Sequence, residues 1–253
     1  MRLLVKLRSL KDQAYDLKYY HKLQGFIYRL LDETPYVKLH DRRGYKFFCF
    51  SNIFPPEDVR GGTTRSLLIS SPDVGMINIL ESRLRGFQEE GEPVNVGEMS
   101  FRVDSISRLE PKMGEPCTLI TGTPIVIRIP RENYEKYGIK PPRDYGGVYW
   151  RKHYSFEAFI KQLEDNLFKK YNDFYGGSLG EFPLFEQFMF KKQVCNHVVL
   201  GGKEVRVLGS IWEFAFSYLN GKRRKIIQFG LDCGFGELSS MGFGFMNIAR
   251  CGK

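Results

Sequence analysis

The chain of 253 residues is long enough for one large domain or for two of about 125 residues, and with 42% hydrophobic and 15% aromatic residues it can bury a substantial core. The 38 lysines and arginines outnumber the 29 aspartates and glutamates and give a formal charge of +9, which favours a polyanionic partner, most often nucleic acid. The five cysteines are scattered and form no CxxC, which argues against a disulfide framework and a zinc site, and no apolar run approaches the roughly 18 residues of a membrane-spanning helix.

The first elements in chain order are a strand, a helix and two further strands. Apolar and charged residues alternate over residues 2–8 and predict a strand, whereas residues 19–32 carry apolar side chains at helical spacing. An aromatic strand is expected over residues 45–51 and a second strand over residues 66–70.

A second helix and a hairpin complete the first half. Ser71 and Pro72 predict the start of a helix, with Ser71 as its cap and Pro72 at the first helical position, and apolar residues follow at helical spacing over 74–87. Residues 94–106 have the alternation of a hairpin.

The second half begins with a strand region over residues 118–129 and a connection rich in Pro and Gly over 130–147. Ser155 is expected to cap a long amphipathic helix over residues 156–171. A hairpin is expected next, with Gly201 and Gly202 at its turn.

Three weaker patterns end the chain. Residues 220–233 predict a short helix, a glycine-rich loop follows from residue 234, and a last strand is expected over residues 243–249. The first half has the order strand, helix, strand, strand, helix, strand of the ferredoxin-like arrangement, and the second half repeats the beginning of this order. We therefore predict an α+β fold of two tandem ferredoxin-like (RRM-like) domains, residues 1–114 and 115–253, the second carrying the C-terminal glycine-rich loop.

Basic residues gather in three clusters. Each cluster alone would be typical of a solvated face, but three of them on a chain of charge +9 predict a surface that binds a nucleic-acid backbone. The candidate RNA-binding residues are Arg29, Lys38, Arg42 and Arg43 in the first cluster, Lys191 and Lys192 in the second, and Arg223, Arg224 and Lys225 in the third.

Three residues around the first predicted helix have side chains suited to cleaving RNA. His40 lies in a basic loop between Tyr28 and Lys46. Histidine transfers protons near neutral pH, and lysine stabilises phosphate charge. Tyr28 either orients the attacking 2′-OH or serves as the base, the latter only if a cation depresses its pKa.

The stretch GFGELSSMGFGF, residues 234–245, places four glycines near the end of the chain. A phosphate loop of the Walker type needs a Lys-Ser/Thr pair after its last glycine, and a dinucleotide fingerprint needs a helix and an acidic residue about 20 positions on. Both are missing here, and no paired carboxylates accompany the loop. A small-molecule nucleotide enzyme is therefore disfavoured, which leaves a close approach of backbone or a tight turn before the last strand.

Taken together, the tandem fold, the glycine loop and the three residues Tyr28, His40 and Lys46 resemble the CRISPR-associated endoribonucleases that process precursor CRISPR RNA, within the RAMP superfamily. The stretch LQGFIYRLL, residues 23–31, resembles the first helix of that family. The resemblance implies cleavage within each repeat, without a metal or a cofactor, that leaves a 5′-hydroxyl and a 2′,3′-cyclic phosphate. It implies that His40 is the general acid, Tyr28 the base or orienter of the 2′-OH, and Lys46 the residue that stabilises the phosphorane.

The resemblance also gives the glycine loop a function. It implies that the four glycines let backbone pack closely against the first helix and the RNA, while a turn before the last strand fits the same residues. A non-catalytic RNA-binding or effector-complex subunit of the same superfamily stays as the alternative. CRISPR repeat RNA is the expected partner, with or without an effector complex, for a cytoplasmic monomer or homodimer that does not bind membranes. The candidate glycines are Gly234, Gly236, Gly242 and Gly244.

Overall fold

The computed structural model describes residues 1–16, 19–141, 146–200 and 202–252. It divides into two compact units, the first comprising residues 1–111 and 240–242 and the second residues 112–239 and 243–253. Three residues of the glycine-rich loop thus group with the N-terminal unit, which the expected division between residues 114 and 115 did not foresee.

The first unit is a five-stranded antiparallel sheet with two helices, and the sheet has the order β2-β3-β1-β5-β4. Its elements are β1 (Arg2–Ser9), α1 (Tyr19–Leu30), β2 (Cys49–Phe50), β3 (Thr64–Ser70), α2 (Val74–Glu90), β4 (Pro93–Val96) and β5 (Met99–Leu109).

Alternation along β1 determines which side chains enter the first core. Leu3, Val5 and Leu7 are fully buried, as the sequence pattern predicted, and β1 pairs with β3 on one side and β5 on the other. Helix α1 buries the apolar stripe that includes Leu23 and Ile27. This anchoring fixes which face of α1 carries its polar side chains.

Two expectations for the first unit were wrong. The aromatic strand expected over residues 45–51 is a strand only at Cys49–Phe50, because Phe47 has a φ of +50°, in the left-handed region that a strand cannot continue through. The cap of α2 is Asp73 rather than Ser71, since the Asp73 side chain accepts from the amide of Met76. Pro72 accordingly precedes the cap instead of occupying the first helical position.

The second unit contains a four-stranded antiparallel sheet of order β11-β6-β10-β9, a two-stranded ribbon β7-β8 and two helices. Its elements are β6 (Cys117–Thr121), β7 (Arg128–Pro130), β8 (Gly147–Tyr149), α3 (Phe156–Tyr175), β9 (Gln187–Leu200), β10 (Lys203–Phe216), α4 (Gly221–Cys233) and β11 (Met246–Cys251).

Most of the second unit follows its sequence pattern. Ser155 caps α3 by accepting from the amide of Glu157, which confirms the prediction, and Asn220 caps the expected helix α4. The hairpin β9-β10 is also confirmed, although Gly201 in its turn lies outside the described residues. The core of the second unit includes Trp212, whose ring stacks on Phe159 with centroids 4.2 Å apart.

Two strands of the second unit differ from expectation. The region 118–129 contains two separate strands, β6 and β7, and the last strand begins at Met246 rather than at residue 243. The residues just before β11 still belong to the glycine loop, whose backbone turns are incompatible with a strand. Among the described residues, none of the helices combines the length and the apolar character needed to cross a membrane.

Candidate active site

Tyr28, His40 and Lys46 lie together in the first unit. Lys46 Nζ donates to the Tyr28 hydroxyl oxygen at 3.0 Å and to the His40 carbonyl oxygen at 2.7 Å. The His40 imidazole stands edge-on to the Tyr28 ring, with ring centroids 5.0 Å apart. Helix α1 and the loop that follows it thus bring these three residues into direct contact with one another.

The loop between α1 and β2 presents His40 to solvent. A single 3-10 turn, Val37–Leu39, leads into His40, whose side chain is 69% exposed. Its Nδ1 lies 2.9 Å from Oδ1 of Asp41. With Nδ1 engaged in this way, Nε2 is the ring nitrogen left to act on a substrate. Asp41 is a site residue that the sequence pattern did not single out.

Tyr28 is held from a second side by residues that sequence reasoning missed. Its hydroxyl hydrogen-bonds the side chains of Gln24 and Ser240, and Gln24 Nε2 donates to the Ser240 carbonyl oxygen at 2.9 Å. Gln24 precedes Tyr28 by one helical turn, a spacing that the sequence does contain. Ser240 is 216 positions from Gln24, and no local pattern predicts this contact.

Partial burial shifts the pKa values of Tyr28 and Lys46, which are both half-buried. It raises the pKa of Tyr28 to about 12, although the hydrogen bonds with Ser240 and Gln24 act in the opposite direction. It also lowers the pKa of Lys46, against the attraction of the Asp41 carboxylate. Tyr28 is therefore a neutral phenol at physiological pH, which does not meet the condition for a tyrosine base.

The four glycines of the loop are buried and all have positive φ, from +69° to +88°. A Cβ on Gly242 would overlap the ring of Phe50, and one on Gly244 would overlap the carbonyl oxygen of Phe235. Gly242 and Gly244 thus require glycine for both conformation and space, and the positive φ of Gly234 and Gly236 favours glycine there as well. Contact of Gly234, Gly236, Gly242 and Gly244 with RNA stays a prediction.

A buried lysine binds the glycine loop inside the second unit. Lys170 on α3 is 3% exposed, and its Nζ donates to the carbonyl oxygens of Gly234 at 2.9 Å and Gly236 at 2.5 Å. Ser239 Oγ lies 3.5 Å from the same nitrogen. The ammonium group therefore fixes the direction of two loop carbonyls. The helical pattern of α3 gave no sign of this role.

The first basic cluster is solvent-exposed and belongs to the same unit as Tyr28. The Arg29 guanidinium donates to the Asn95 carbonyl oxygen at 3.2 Å, and that of Arg42 lies 5.3 Å from the Phe47 ring centroid. The exposed residues of this cluster are Arg29, Lys38, Arg42 and Arg43.

The other two clusters belong to the second unit, and part of their charge is paired. Lys191 forms an ion pair with Glu213 at 2.8 Å, and Arg224 forms one with Glu115. Arg223 donates to the Tyr218 carbonyl oxygen at 3.4 Å. The side chains of Lys192 and Lys225 are exposed.

A comparison with protein-family models identifies the chain. The model described as "CRISPR associated protein Cas6, C-terminal" matches residues 108–248, more than half of the sequence. The chain belongs to the Cas6 family.

Curated relatives support the same family over the whole length. The chain is 34% identical to "CRISPR-associated endoribonuclease Cas6 2" of Methanocaldococcus jannaschii, over 98% of this chain and 99% of the relative. It is 35% identical to "CRISPR-associated endoribonuclease Cas6" of Haloferax mediterranei, over 99% and 94% of the two chains. This Cas6 chain is therefore comparable in extent with both relatives.

Solved structures share the fold of this Cas6 chain. A structure described as "CRISPR associated protein Cas6" superposes with a TM-score of 0.72 at 23% identity and covers 99% of both chains. One described as "An RAMP protein binding different RNA substrates" gives a TM-score of 0.73 at 22% identity, over 99% of this chain and all of the other. Both are mixed α+β folds with antiparallel sheets of the kind found here.

Proposed function

We propose that this Cas6 endoribonuclease cleaves precursor CRISPR RNA within its repeats, without a metal ion, by attack of a ribose 2′-OH on the adjacent phosphate. The observation that carries the proposal is the position of Lys46 Nζ, which binds the Tyr28 hydroxyl and the His40 backbone at once. Cleavage forms the bond between O2′ and phosphorus and breaks that between phosphorus and O5′. The products are a 2′,3′-cyclic phosphate and a 5′-hydroxyl.

His40 is the general acid in this proposal. The leaving O5′ needs a proton, and an exposed imidazole with Nδ1 beside Asp41 and Nε2 free of that contact is suited to supply one. Because the Asp41 carboxylate is largely exposed, it orients the His40 ring and contributes little electrostatic energy.

Lys46 and Tyr28 act on the phosphate and the nucleophile. The Lys46 ammonium stabilises the charge that develops on the phosphorane, an effect that grows as water is excluded. Tyr28 orients the 2′-OH as a neutral hydroxyl, because a pKa of about 12 leaves roughly one phenolate in 10⁵ at neutral pH. The proton of the 2′-OH then passes to water rather than to Tyr28.

We also propose that each unit is a ferredoxin-like domain. In the first unit the strands β2-β3-β1-β5 enclose two helices in the order strand, helix, strand, strand, helix, strand, and β4 is an added edge strand. In the second unit β11-β6-β10-β9 has the equivalent order, with β7-β8 inserted before α3. The catalytic residues would then belong to an N-terminal domain of residues 1–114 and the glycine-rich loop to a C-terminal domain of residues 115–253.

The proposed partner is the CRISPR repeat RNA, bound through the three basic clusters. The five cysteines are free, which supports a reducing cytoplasm as the site of action. The enzyme would act as a monomer or a homodimer and would deliver its product alone or to an effector complex.

The test is cleavage of an end-labelled repeat RNA in buffer with and without EDTA. We expect equal rates in the two buffers and no cleavage of a strand that carries a 2′-deoxy nucleotide 5′ of the scissile phosphate. The product should carry a 2′,3′-cyclic phosphate. A requirement for Mg²⁺, or cleavage that survives the 2′-deoxy substitution, would refute this mechanism.

A further inference from the structure

The segment YWRKHY in the second unit combines aromatic and basic side chains that the proposed reaction does not use. It runs from Tyr149 at the end of β8 to Tyr154 before α3. Tyr149, Arg151, His153 and Tyr154 of this segment line an open depression of about 470 Å³ together with Lys140. Lys152 is exposed between Arg151 and His153 in the chain. We call Lys140, Tyr149, Arg151, Lys152, His153 and Tyr154 the ribbon patch.

The ribbon patch is strongly basic. Lys140, Arg151, Lys152 and His153 are exposed, and none of them forms an ion pair with a carboxylate in the described part of the chain. None of the described residues that line the depression is acidic. Unpaired cations around a concave surface attract a polyanion and release counterions when it binds.

The aromatic members add a second kind of contact. Tyr149 and Tyr154 are half-buried, and the His153 ring lies edge-on to Tyr154 with centroids 4.6 Å apart. Partly exposed rings next to cations are the surface on which unpaired bases stack while their phosphates are neutralised. A duplex, with its bases already stacked inside, offers no free face to such rings.

The patch has a rigid support. Trp150, between the first tyrosine and the cations, is 2% exposed, donates from Nε1 to the Ser155 carbonyl oxygen at 2.9 Å and packs on Phe159 with centroids 5.0 Å apart. The exposed neighbours of Trp150 are thereby held on a fixed turn of chain. A preformed surface loses less entropy on binding than a flexible one.

The patch is also tied to the glycine loop. Tyr149 stands opposite Arg128 in the β7-β8 ribbon, and the Arg128 guanidinium binds the Glu237 carboxylate of the loop, with Nε to Oε2 at 2.6 Å. The carboxylate of Glu237 is thus neutralised by Arg128. A strand of RNA that approaches the loop along the ribbon meets cations and aromatic rings.

We infer that the ribbon patch is a binding site for single-stranded RNA, with bases stacking on Tyr149 and Tyr154 and phosphates bound by Lys140, Arg151 and Lys152. The inference rests on the proposed function only for the identity of the ligand as RNA. The site would hold nucleotides outside the bond that is cut.

The experiment measures binding of a labelled oligouridine of about 12 nucleotides by fluorescence anisotropy over a range of salt concentrations. The test variant carries Lys140→Ala, Arg151→Ala and Lys152→Ala, all at exposed positions. The control variant loses the same charge at three other exposed positions of the second unit, through Lys169→Ala, Lys203→Ala and Arg206→Ala.

We expect the test variant to bind oligouridine at least 10-fold more weakly than the control variant at 0.1 M salt. The slope of the logarithm of the association constant against the logarithm of the salt concentration should fall in magnitude by about 2. Each lost phosphate contact to a single strand removes about 0.7. In the wild type, 4-thiouridine in the oligonucleotide should crosslink to Tyr149 or Tyr154. Equal affinity of the two variants, no crosslink to the patch, or an equal loss of affinity for duplex RNA would overturn the inference.

Cleavage of the labelled repeat RNA is measured on the same samples. If the wild type binds oligouridine through the patch but cuts no repeat RNA, the ribbon patch stands and the proposed ribonuclease mechanism fails. If the wild type cuts repeat RNA while the test and control variants bind oligouridine equally, the ribbon patch fails and the mechanism stands.

Discussion

Lys46 Nζ lies 3.0 Å from the hydroxyl oxygen of Tyr28 and, in the same position, donates to the backbone of His40. One ammonium group therefore holds together the helix that carries the tyrosine and the loop that carries the histidine. Partial burial lowers the pKa of Lys46, because the charged ammonium is less well solvated there, while the Asp41 carboxylate favours the charged form. In the proposed mechanism this lysine supplies both the geometry of the site and its positive charge.

Substituting Lys46→Met keeps the length of the side chain and removes the charge and the two hydrogen bonds. We expect the single-turnover cleavage rate at saturating RNA to fall by about 10²–10³-fold, the usual effect of removing one group that stabilises transition-state charge. Lys11→Met, at an exposed position of the first unit, is the control and should leave the rate unchanged. A Lys46→Met rate that returns to the wild-type value at saturating RNA would show that the residue only helps binding.

Tyr28→Phe distinguishes an orienting hydroxyl from a base. A hydrogen bond that positions the 2′-OH contributes about 0.5–1.5 kcal/mol, so we expect a loss of about 2- to 13-fold in rate. Because the pKa of Tyr28 is raised to about 12, the wild type and the variant should have pH–rate profiles of the same shape from about pH 6 to pH 9. Tyr15→Phe serves as the control for loss of a phenol.

A tyrosine base would give a different result. Its removal should cost about 10²–10⁴-fold and should abolish a rise of rate with pH that the wild type shows. Either observation would contradict the orienting role and would require that a cation depresses the pKa in the RNA complex.

Much of the fold was predictable because its elements are strongly periodic. The alternation in β1, the apolar stripe of α1 and the Ser155 cap of α3 all depend on residues close in sequence, and the structure confirms them. The expected strand over 45–51 failed because the left-handed φ of Phe47 is imposed by its surroundings rather than by its own preference.

The site could be predicted only in part, because sequence patterns report on residues that are close together in the chain. Histidine, tyrosine and lysine were recognisable by their chemistry and by the family resemblance, and the structure brings the three together. Ser240 and Lys170 were missed, because their contacts join segments far apart in the chain, to Gln24 across 216 positions and to Gly234 across 64. Contacts of that range leave no periodic signal in one sequence.

Lys170→Met should destabilise the protein through the glycine loop. The change leaves the carbonyl oxygens of Gly234 and Gly236 without this donor in a buried place, which costs about 1–3 kcal/mol. We expect a lower Tm in thermal unfolding, whereas the neighbouring Lys169→Met, at an exposed position, should leave Tm unchanged. Equal Tm values for the two variants would mean that the loop carbonyls find other donors.

The third basic cluster should separate into a structural and a binding part. Arg224 is paired with Glu115, so Arg224→Ala should lower the free energy of unfolding by up to about 1 kcal/mol and leave the salt dependence of RNA binding unchanged. Lys225 is exposed, and Lys225→Ala should reduce the slope of log K against log salt by about 0.7. Salt titrations of repeat-RNA binding by both variants test this, and an unchanged slope for Lys225→Ala would make it a solvated residue only.

His40→Ala is the sharpest test of the proposed acid. If His40 protonates O5′, the single-turnover rate should fall by about 10²–10⁴-fold, while RNA affinity should change little because an exposed imidazole adds little attraction for phosphate. Asp41→Asn should have a much smaller effect, since Asp41 only orients the ring. Rates and affinities of the variants are measured with the same labelled repeat RNA.

A substrate with sulfur in place of the 5′-oxygen assigns the role of His40, because a thiolate leaves without a proton. This substrate should recover much of the rate that His40→Ala loses, and it should not rescue Lys46→Met to the same extent, since that lysine acts on phosphorane charge. Wild-type activity of His40→Ala on ordinary RNA would place the acid elsewhere. A lost rate that sulfur fails to rescue would mean that His40 acts on the 2′-OH side, as the base that a neutral Tyr28 cannot be.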